Sequence, residues 1–473
     1  MSNETTTPAA PLPDYITSAT PNPAENRAPW YTNTAPTYAG IFLWFVFWQD
    51  AIVTPNLGGA LAGGVVWALV SLVLAAVICH FFFYLVPALL GQKTGLPLYI
   101  VGTSTYGAQG GFIMPGFLMG VLQFGWLGVN IFFSSVLLSQ VIPLPPQVIM
   151  VVWGVLAAFV GLKGIQYEGR VATYLPLIPL AILLILFFKT VGSVGSMEVT
   201  KLIEAHQAVA PDAPPALSAF GVLAFILTYV VGFFATAGAA GVDFGTNSRD
   251  RNDVQMGGLV GIAAATVLTA GLAALIVAGV YGSADMATRA VAAGQESGGF
   301  ILNPVNLIPV ILGATAFKWM SFLLALAAFP AACFSSFIAA NSFKTTLPKV
   351  NPFISVGIGA AVSIILAVTG AAGRVVPVFV IIGASFGPIC GAMFVDYLMN
   401  KGTWTGPRAG FNPAGWIAWA VGFVVGILPN LGVAVPAAPV LAFVAGALVY
   451  WLCAKAGLLS AVVPLPGVTS TTE

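Results

Sequence analysis

Gln123, Trp126 and Asn130 stand three and four residues apart in an apolar stretch, a spacing that puts all three on one face of a helix. Such a face suits a planar heterocycle. The indole offers a flat surface, and each carboxamide carries both a carbonyl acceptor and an NH2 donor for a ring edge. The competing reading is that amides within an apolar helix bond neighbouring helices together. Gln49 and Asp50 end the apolar run 40–48 and are followed by Thr54, Pro55, Asn56, Gly58 and Gly59. Proline removes a donor and glycine loosens the chain, so this helix is predicted to break within its span, freeing carbonyls that must border a cavity or an ion. A carboxylate at that depth is costly unless paired, protonated or wetted. Asp50 therefore reads either as a contact for N–H donors of a ligand or as a proton carrier. A helix-cap aspartate at the end of the span is the plain structural alternative.

Two further stretches can complement this one. The run Gly232-Phe233-Phe234-Ala235-Thr236-Ala237-Gly238-Ala239-Ala240-Gly241 allows close backbone approach and is predicted to carry a matching break, with Phe234 as one wall of an aromatic slot. Ser335 and Ser336, beyond Pro330, offer hydroxyl ligands for a hard cation such as Na+, although serines in apolar helices more often bond their own backbone four residues back. His80, beside three phenylalanines, reads as a satisfied interior imidazole. Asp243, Arg249, Asp250, Arg251 and Asp253 read as a solvated ion-pair cluster.

The elements that must hold these residues are membrane helices. Of 473 residues 59% are hydrophobic and 7% charged, too few charges to clothe a soluble protein of this size. A net charge of +1 with no run of Lys or Arg excludes capture of nucleic acid. The four cysteines sit in apolar runs away from metal-ligand spacings and read as packing thiols. Apolar runs long enough to cross about 30 Å of hydrocarbon recur along the chain. They suggest twelve spans, beginning near Thr37, Gly63, Phe112, Gln147, Val171, Leu217, Met256, Ala316, Pro352, Val375, Gly415 and Pro436. Residues 1–36, rich in Thr, Pro, Ala and Asn, are expected to be a mostly disordered tail. With that tail inside the cell, eleven of the sixteen basic residues fall inside, which places both termini in the cytoplasm.

The connection 192–216, with His206 and a Pro-rich stretch, separates five spans (37–191) from five more (217–398). Five is odd, so the second set must run opposite to the first, the geometry of an inverted repeat with its site at the membrane midplane. Spans eleven and twelve (399–455) are additions, and 456–473 is a second tail.

Taken together, Arg27-Ala28-Pro29-Trp30, Lys93-Thr94-Gly95-Leu96, Gln123-Phe124-Gly125-Trp126, the 232–238 run with Asp243-Phe244, and Asn341 resemble the nucleobase:cation symport family, the permeases for cytosine, purines, hydantoins and allantoin. The resemblance implies an all-α integral membrane protein of twelve helices, a five-plus-five inverted repeat like that of the bacterial leucine transporter plus two helices. It implies that Trp126 and Phe234 stack on the two faces of a substrate ring. Gln123, Asn130 and Asn341 would bond its edge, with Thr236, Gln49 and Asp50 nearby. Ser335 and Ser336, with carbonyls at Ala332 and in the first span at Phe47, would hold Na+. Phe234 and Gln123 look most like cytosine permeases and Asn130 like purine-cytosine permeases, whereas Asp50 departs from them. The function expected is cation-coupled import of a small planar base by alternating access, with Na+ or H+ as the coupling ion and no organic cofactor. A permease of the same fold for an aminopyrimidine vitamin precursor, a hydantoin or an amine held by Asp50 is the alternative. A channel would need a continuous ring-lined pore, and an enzyme a cluster of acids, histidines or cysteines.

Overall fold

The computed structural model describes residues 12–163 and 174–465. Among these residues the chain is helical, with two isolated bridges, Ala28 to Ser248 and Arg408 to Val462, and no strands. Backbone polar groups have no water partner in hydrocarbon, so helices that satisfy them internally are what such apolar runs form. Among the described residues ten helices have the length and apolarity to cross a membrane: Val65–Thr94, Phe112–Leu138, Pro146–Lys163, Leu177–Ser196, Ala219–Ala239, Arg251–Gly282, Ala314–Thr346, Val375–Met399, Pro413–Leu431 and Ala438–Lys455. With the shorter Pro352–Val368 and a divided first helix, they follow the expected order of spans. The protein is an integral membrane protein. Arg170 and the start of the fifth expected span lie outside the described residues.

The first span breaks earlier than its prolines and glycines suggest. Helix Thr34–Leu43 ends at Trp44, whose ψ of 122° turns the chain; Phe45–Gln49 follows, and the path from Asp50 to Gly58 is non-helical. Side chains stand in for the missing backbone donors. The Trp48 indole donates to the Leu43 carbonyl at 3.1 Å, and the Tyr229 hydroxyl lies 3.1 and 2.7 Å from the carbonyls of Val46 and Phe47. The sixth span does not break where expected: it runs unbroken through Ala219–Ala239 and turns only at Ala240. Its glycines serve close packing instead. A Cβ on Gly232 would lie 2.6 Å from the Phe379 carbonyl oxygen, and one on Gly238 2.9 Å from the Phe83 Cβ.

The described part of the tail, from residue 12 on, crosses one end of the bundle and is tied to it, where a mostly disordered tail was expected. Tyr15 donates to the Ala108 carbonyl and packs on Phe112 at 4.7 Å, and Ile16 is fully buried. The Asn22 amide bonds Thr246 and Asn247 at 3.0 Å, Ala28 N–H donates to the Asn247 carbonyl at 2.8 Å, and Trp30 N–H to Asp253 at 3.1 Å. Of the charged cluster there, Asp243, Arg249, Asp250 and Arg251 are exposed, as expected of a solvated cluster, while Asp253 is buried against Arg249 at 2.6 Å and Asp243 accepts from Leu98 N–H at 2.9 Å. At the other end, the connections after the fifth and seventh spans carry amphipathic helices, Val199–Val209 and Ala284–Ser297, that pack on each other.

The two added spans are fastened by one buried ion pair. Asp396 of the tenth span accepts from Ser104 at 2.9 Å, Tyr450 at 2.8 Å and Arg408 at 3.5 Å, while Arg408 donates to the carbonyls of Ser104 and Ser460. Removing one partner of a buried pair strands the other charge, which costs about 3–5 kcal/mol. Asp396→Ala is therefore expected to lower the melting temperature of the purified protein by several degrees; an unchanged melting curve would show that this network does not hold the added spans.

Candidate functional site

An aromatic cluster forms where the third, sixth and tenth spans meet the break in the first. Trp126 donates its indole N–H to Thr236 Oγ1 at 3.2 Å, and its ring lies 5.3 Å from Phe233, 5.5 Å from Phe379 and 6.0 Å from Trp44. Phe233 and Phe379 are buried; Trp126 and Trp44 are partly buried. Thus Trp126 and Thr236, expected near each other, are brought together. Beside them the first span supplies two buried N–H donors without partners, Trp44 Nε1 and Gln49 Nε2. A buried donor left unbonded is costly, and such groups commonly face a ligand. Gln123, one turn from Trp126, is buried with its NH2 3.6 Å from the weakly accepting sulfur of Met119.

Phe234 is not the ring opposite Trp126. Successive helical residues point about 100° apart, so only one of the two phenylalanines can face the third span, and that one is Phe233. Phe234 stacks instead on Phe42 at 5.7 Å and lies 5.8 Å from Tyr38. Asn130 is turned to helix packing: it donates to the Ala328 carbonyl at 2.9 Å and accepts from Ser134 at 3.2 Å and Trp153 at 3.3 Å. Asn341 is exposed, beside a Ser342 that bonds the Gly116 carbonyl. Gly116 lies ten residues, nearly three turns of helix, before Trp126.

Two of the oxygens expected to hold Na+, the Ser335 hydroxyl and the Phe47 carbonyl, are engaged elsewhere. Ser335 donates to the Ala331 carbonyl at 3.1 Å, four residues back. Ser336 has no hydroxyl partner and faces Gly161 of the fourth span, and the Phe47 carbonyl accepts from Tyr229. Ala332 is fully buried. Among the described residues no group of three or more His, Cys, Asp or Glu gathers as a metal site. His80 is buried but its Nδ1 has no partner, which corrects the reading of a satisfied imidazole.

Asp50 lies near the far end of the bundle, not at its centre. It accepts from the Asn303 amide at 2.9 Å and lines a cavity of about 380 Å³ with the loop after the seventh span. A few residues on, Gly58 N–H donates to His206 Nδ1 at 3.0 Å, and the imidazole stacks on Phe300 at 4.3 Å. Burial holds the His206 pKa below its ordinary 6.5. A second cavity of about 360 Å³ opens at the opposite end, between Tyr15, Tyr99 and Thr345. Phe379 and Asn303, in distant segments, carried no signal in the sequence; Trp44 had one in the aromatic run before Gln49.

The architecture is the inverted-repeat, leucine-transporter-like fold of secondary transporters. Solved structures share it along nearly the whole chain. Mhp1, a nucleobase-cation-symport-1 family transporter, in a closed conformation with bromovinylhydantoin bound, is similar with a TM-score of 0.60 and 16% identity over 94% of this chain and 97% of that one. Its inward-facing conformation gives 0.62 and 17% over 96% and 99%. A Na+-coupled sialic acid symporter in a substrate-bound outward-open state gives 0.53 and 12% over 95% and 93%. No family model and no curated protein matches the chain.

If the Asn130 amide braces the third, fourth and eighth spans, Asn130→Ala leaves its partners unbonded and removes about 1–3 kcal/mol. The variant is expected to melt several degrees lower; melting that matches the parent protein would return this amide to the list of ring contacts.

Proposed function

We propose that this protein is a secondary active transporter that carries a small planar heterocycle, a nucleobase or a close relative, together with Na+ or H+ by alternating access. One observation carries this reading. Trp126, fixed by Thr236, adjoins a broken helix that holds two buried, unpartnered N–H donors, Trp44 Nε1 and Gln49 Nε2. A flat ring surface beside free donors suits a ring with carbonyl or imine acceptors on its edge. Gln123 adds a carboxamide one turn away. Phe233, rather than Phe234, is the aromatic partner of Trp126 in this scheme. The likeness in fold to Mhp1 with bromovinylhydantoin bound supports the class of ligand and gives a hydantoin as the second reading.

The two cavities at opposite ends of the bundle, with the aromatic cluster between, suit alternating access. In this mechanism the ring enters from one end, seats against Trp126, and leaves from the other after the first and sixth spans rock against the third and eighth. Coupling requires that cation and ring favour the same occluded state, so that each raises the affinity for the other by the same factor. The eighth-span hydroxyls, Ser336 above all, and the carbonyls of Phe47 and Ala332 are the oxygens available for Na+ once the first and eighth spans approach. The excess of basic residues on one side supports cytoplasmic termini, and the resemblance to cytosine permeases supports a bacterial inner membrane.

Uptake of labelled cytosine into proteoliposomes, under a Na+ gradient or a pH gradient imposed separately, tests the proposal. Concentrative uptake under one gradient, competed by purines or by hydantoin, is expected. Trp126→Ala is expected to abolish it, since ring stacking contributes ~1–3 kcal/mol. Gln49→Ala is expected to weaken apparent affinity by about tenfold, the worth of one hydrogen bond. Normal uptake by Trp126→Ala would refute the site, and no uptake of any of these rings under either gradient would refute the function.

A further inference from the structure

We propose that the cavity at Asp50 is a separate outer binding site for a small organic cation, an amine or amidine bearing protonated nitrogen. This inference goes beyond the transport reading and does not depend on it. Among the described residues Asp50 makes no ion pair. Its described polar partner is the Asn303 amide, at 2.9 Å to one carboxylate oxygen. Asn303 is itself fixed, because its own carbonyl oxygen accepts from the N–H groups of Val305 at 2.9 Å and Asn306 at 3.3 Å. The carboxylate is thus held in one orientation on the cavity wall, with acceptor capacity left over for a second donor.

A second feature gives the cavity the same sign. Ser297, Gly298 and Gly299 line it, and they are the last residue and the exit of the 14-residue helix Ala284–Ser297. A helix C-terminus carries partial negative charge on its unbonded carbonyls. The nearest cation on that helix, Arg289, is already engaged by Asp285 at 2.6 Å and by the Val310 carbonyl at 2.7 Å, two turns from the cavity. Glu296, next to the lining, is exposed and adds to the negative field. A charge-assisted contact to a planar amidinium or an ammonium is what such a wall favours.

Size and isolation define the ligand further. About 380 Å³ is roughly a dozen waters' share of liquid, too roomy for a bare ion and fitting for a small organic molecule. None of the rings around Trp126 lines this cavity. From Trp126 the ring contacts run through Phe379 to Tyr229, 5.0 Å apart, and Tyr229 bonds the carbonyls just before Asp50. A cation held at Asp50 is therefore outside the aromatic cluster.

Calorimetric titration of the purified full-length protein with benzamidine and with its neutral isostere benzamide separates the possibilities. Benzamidine is expected to bind at least about tenfold more tightly than benzamide, a preference that Asp50→Asn removes and Trp126→Ala leaves intact. Equal binding of the two probes, no benzamidine binding, a preference that survives Asp50→Asn, or one lost in Trp126→Ala would each overturn the proposal. The comparison of the two probes on the parent protein stands even if Asp50→Asn does not fold. Because the readout is binding, a failure of cytosine uptake leaves this result untouched.

Discussion

The tie between the Tyr229 hydroxyl and the carbonyls of Val46 and Phe47 is the interaction on which the shape of the centre depends. A helix interrupted inside hydrocarbon exposes carbonyls that must find donors within the protein. Here one phenol, fully buried on the sixth span, supplies the bond to the short segment that follows the break. That bond keeps the first span bent at Trp44, which in turn sets Trp44 against Trp126 and leads Asp50 toward the far end. The continuous sixth helix is the rigid partner; only one of the two helices needed to break for a site to form.

The fold was largely legible because hydrophobic length and charge bias are properties of whole segments. The break and the slot were less so, because they depend on pairs of residues far apart in the chain. Pro55 and the glycines pointed to the break that the non-helical path from Asp50 to Gly58 makes, but not to the earlier turn at Trp44, where donors from Trp48 and Tyr229 make it tolerable. The glycine-rich sixth span suggested a mirror of that break, but its small residues let Phe379 and Phe83 approach. Phe233 and Phe234 are indistinguishable by type; helical phase against the third span decides between them. Asn130 could be read either as glue or as ring contact, and its two bonds to neighbouring helices, at Ala328 and Trp153, turn it to packing.

A π-type turn at Phe112–Phe117 opens the third span, and the second and seventh spans carry one each, at Cys79–Tyr84 and Leu259–Ala264. The last two turns pack on each other, with the unpartnered His80 nitrogen against Gly258. Such turns commonly mark functional positions in helices. Together with the ordered N-terminal strap at one end and the paired amphipathic helices at the other, they show that both ends of the bundle are covered by elements tied to more than one span.

All four cysteines, at positions 79, 333, 390 and 453, are buried. A thiol reagent in water therefore meets almost no native target while the fold is intact, since attack requires an accessible thiolate. One cysteine introduced in the strap and one beside the Asp50 cavity would each report, by the speed of its labelling, which end of the molecule is open at a given moment. The chain thus comes equipped as its own blank for timing the two gates in a native background, without the usual removal of endogenous thiols.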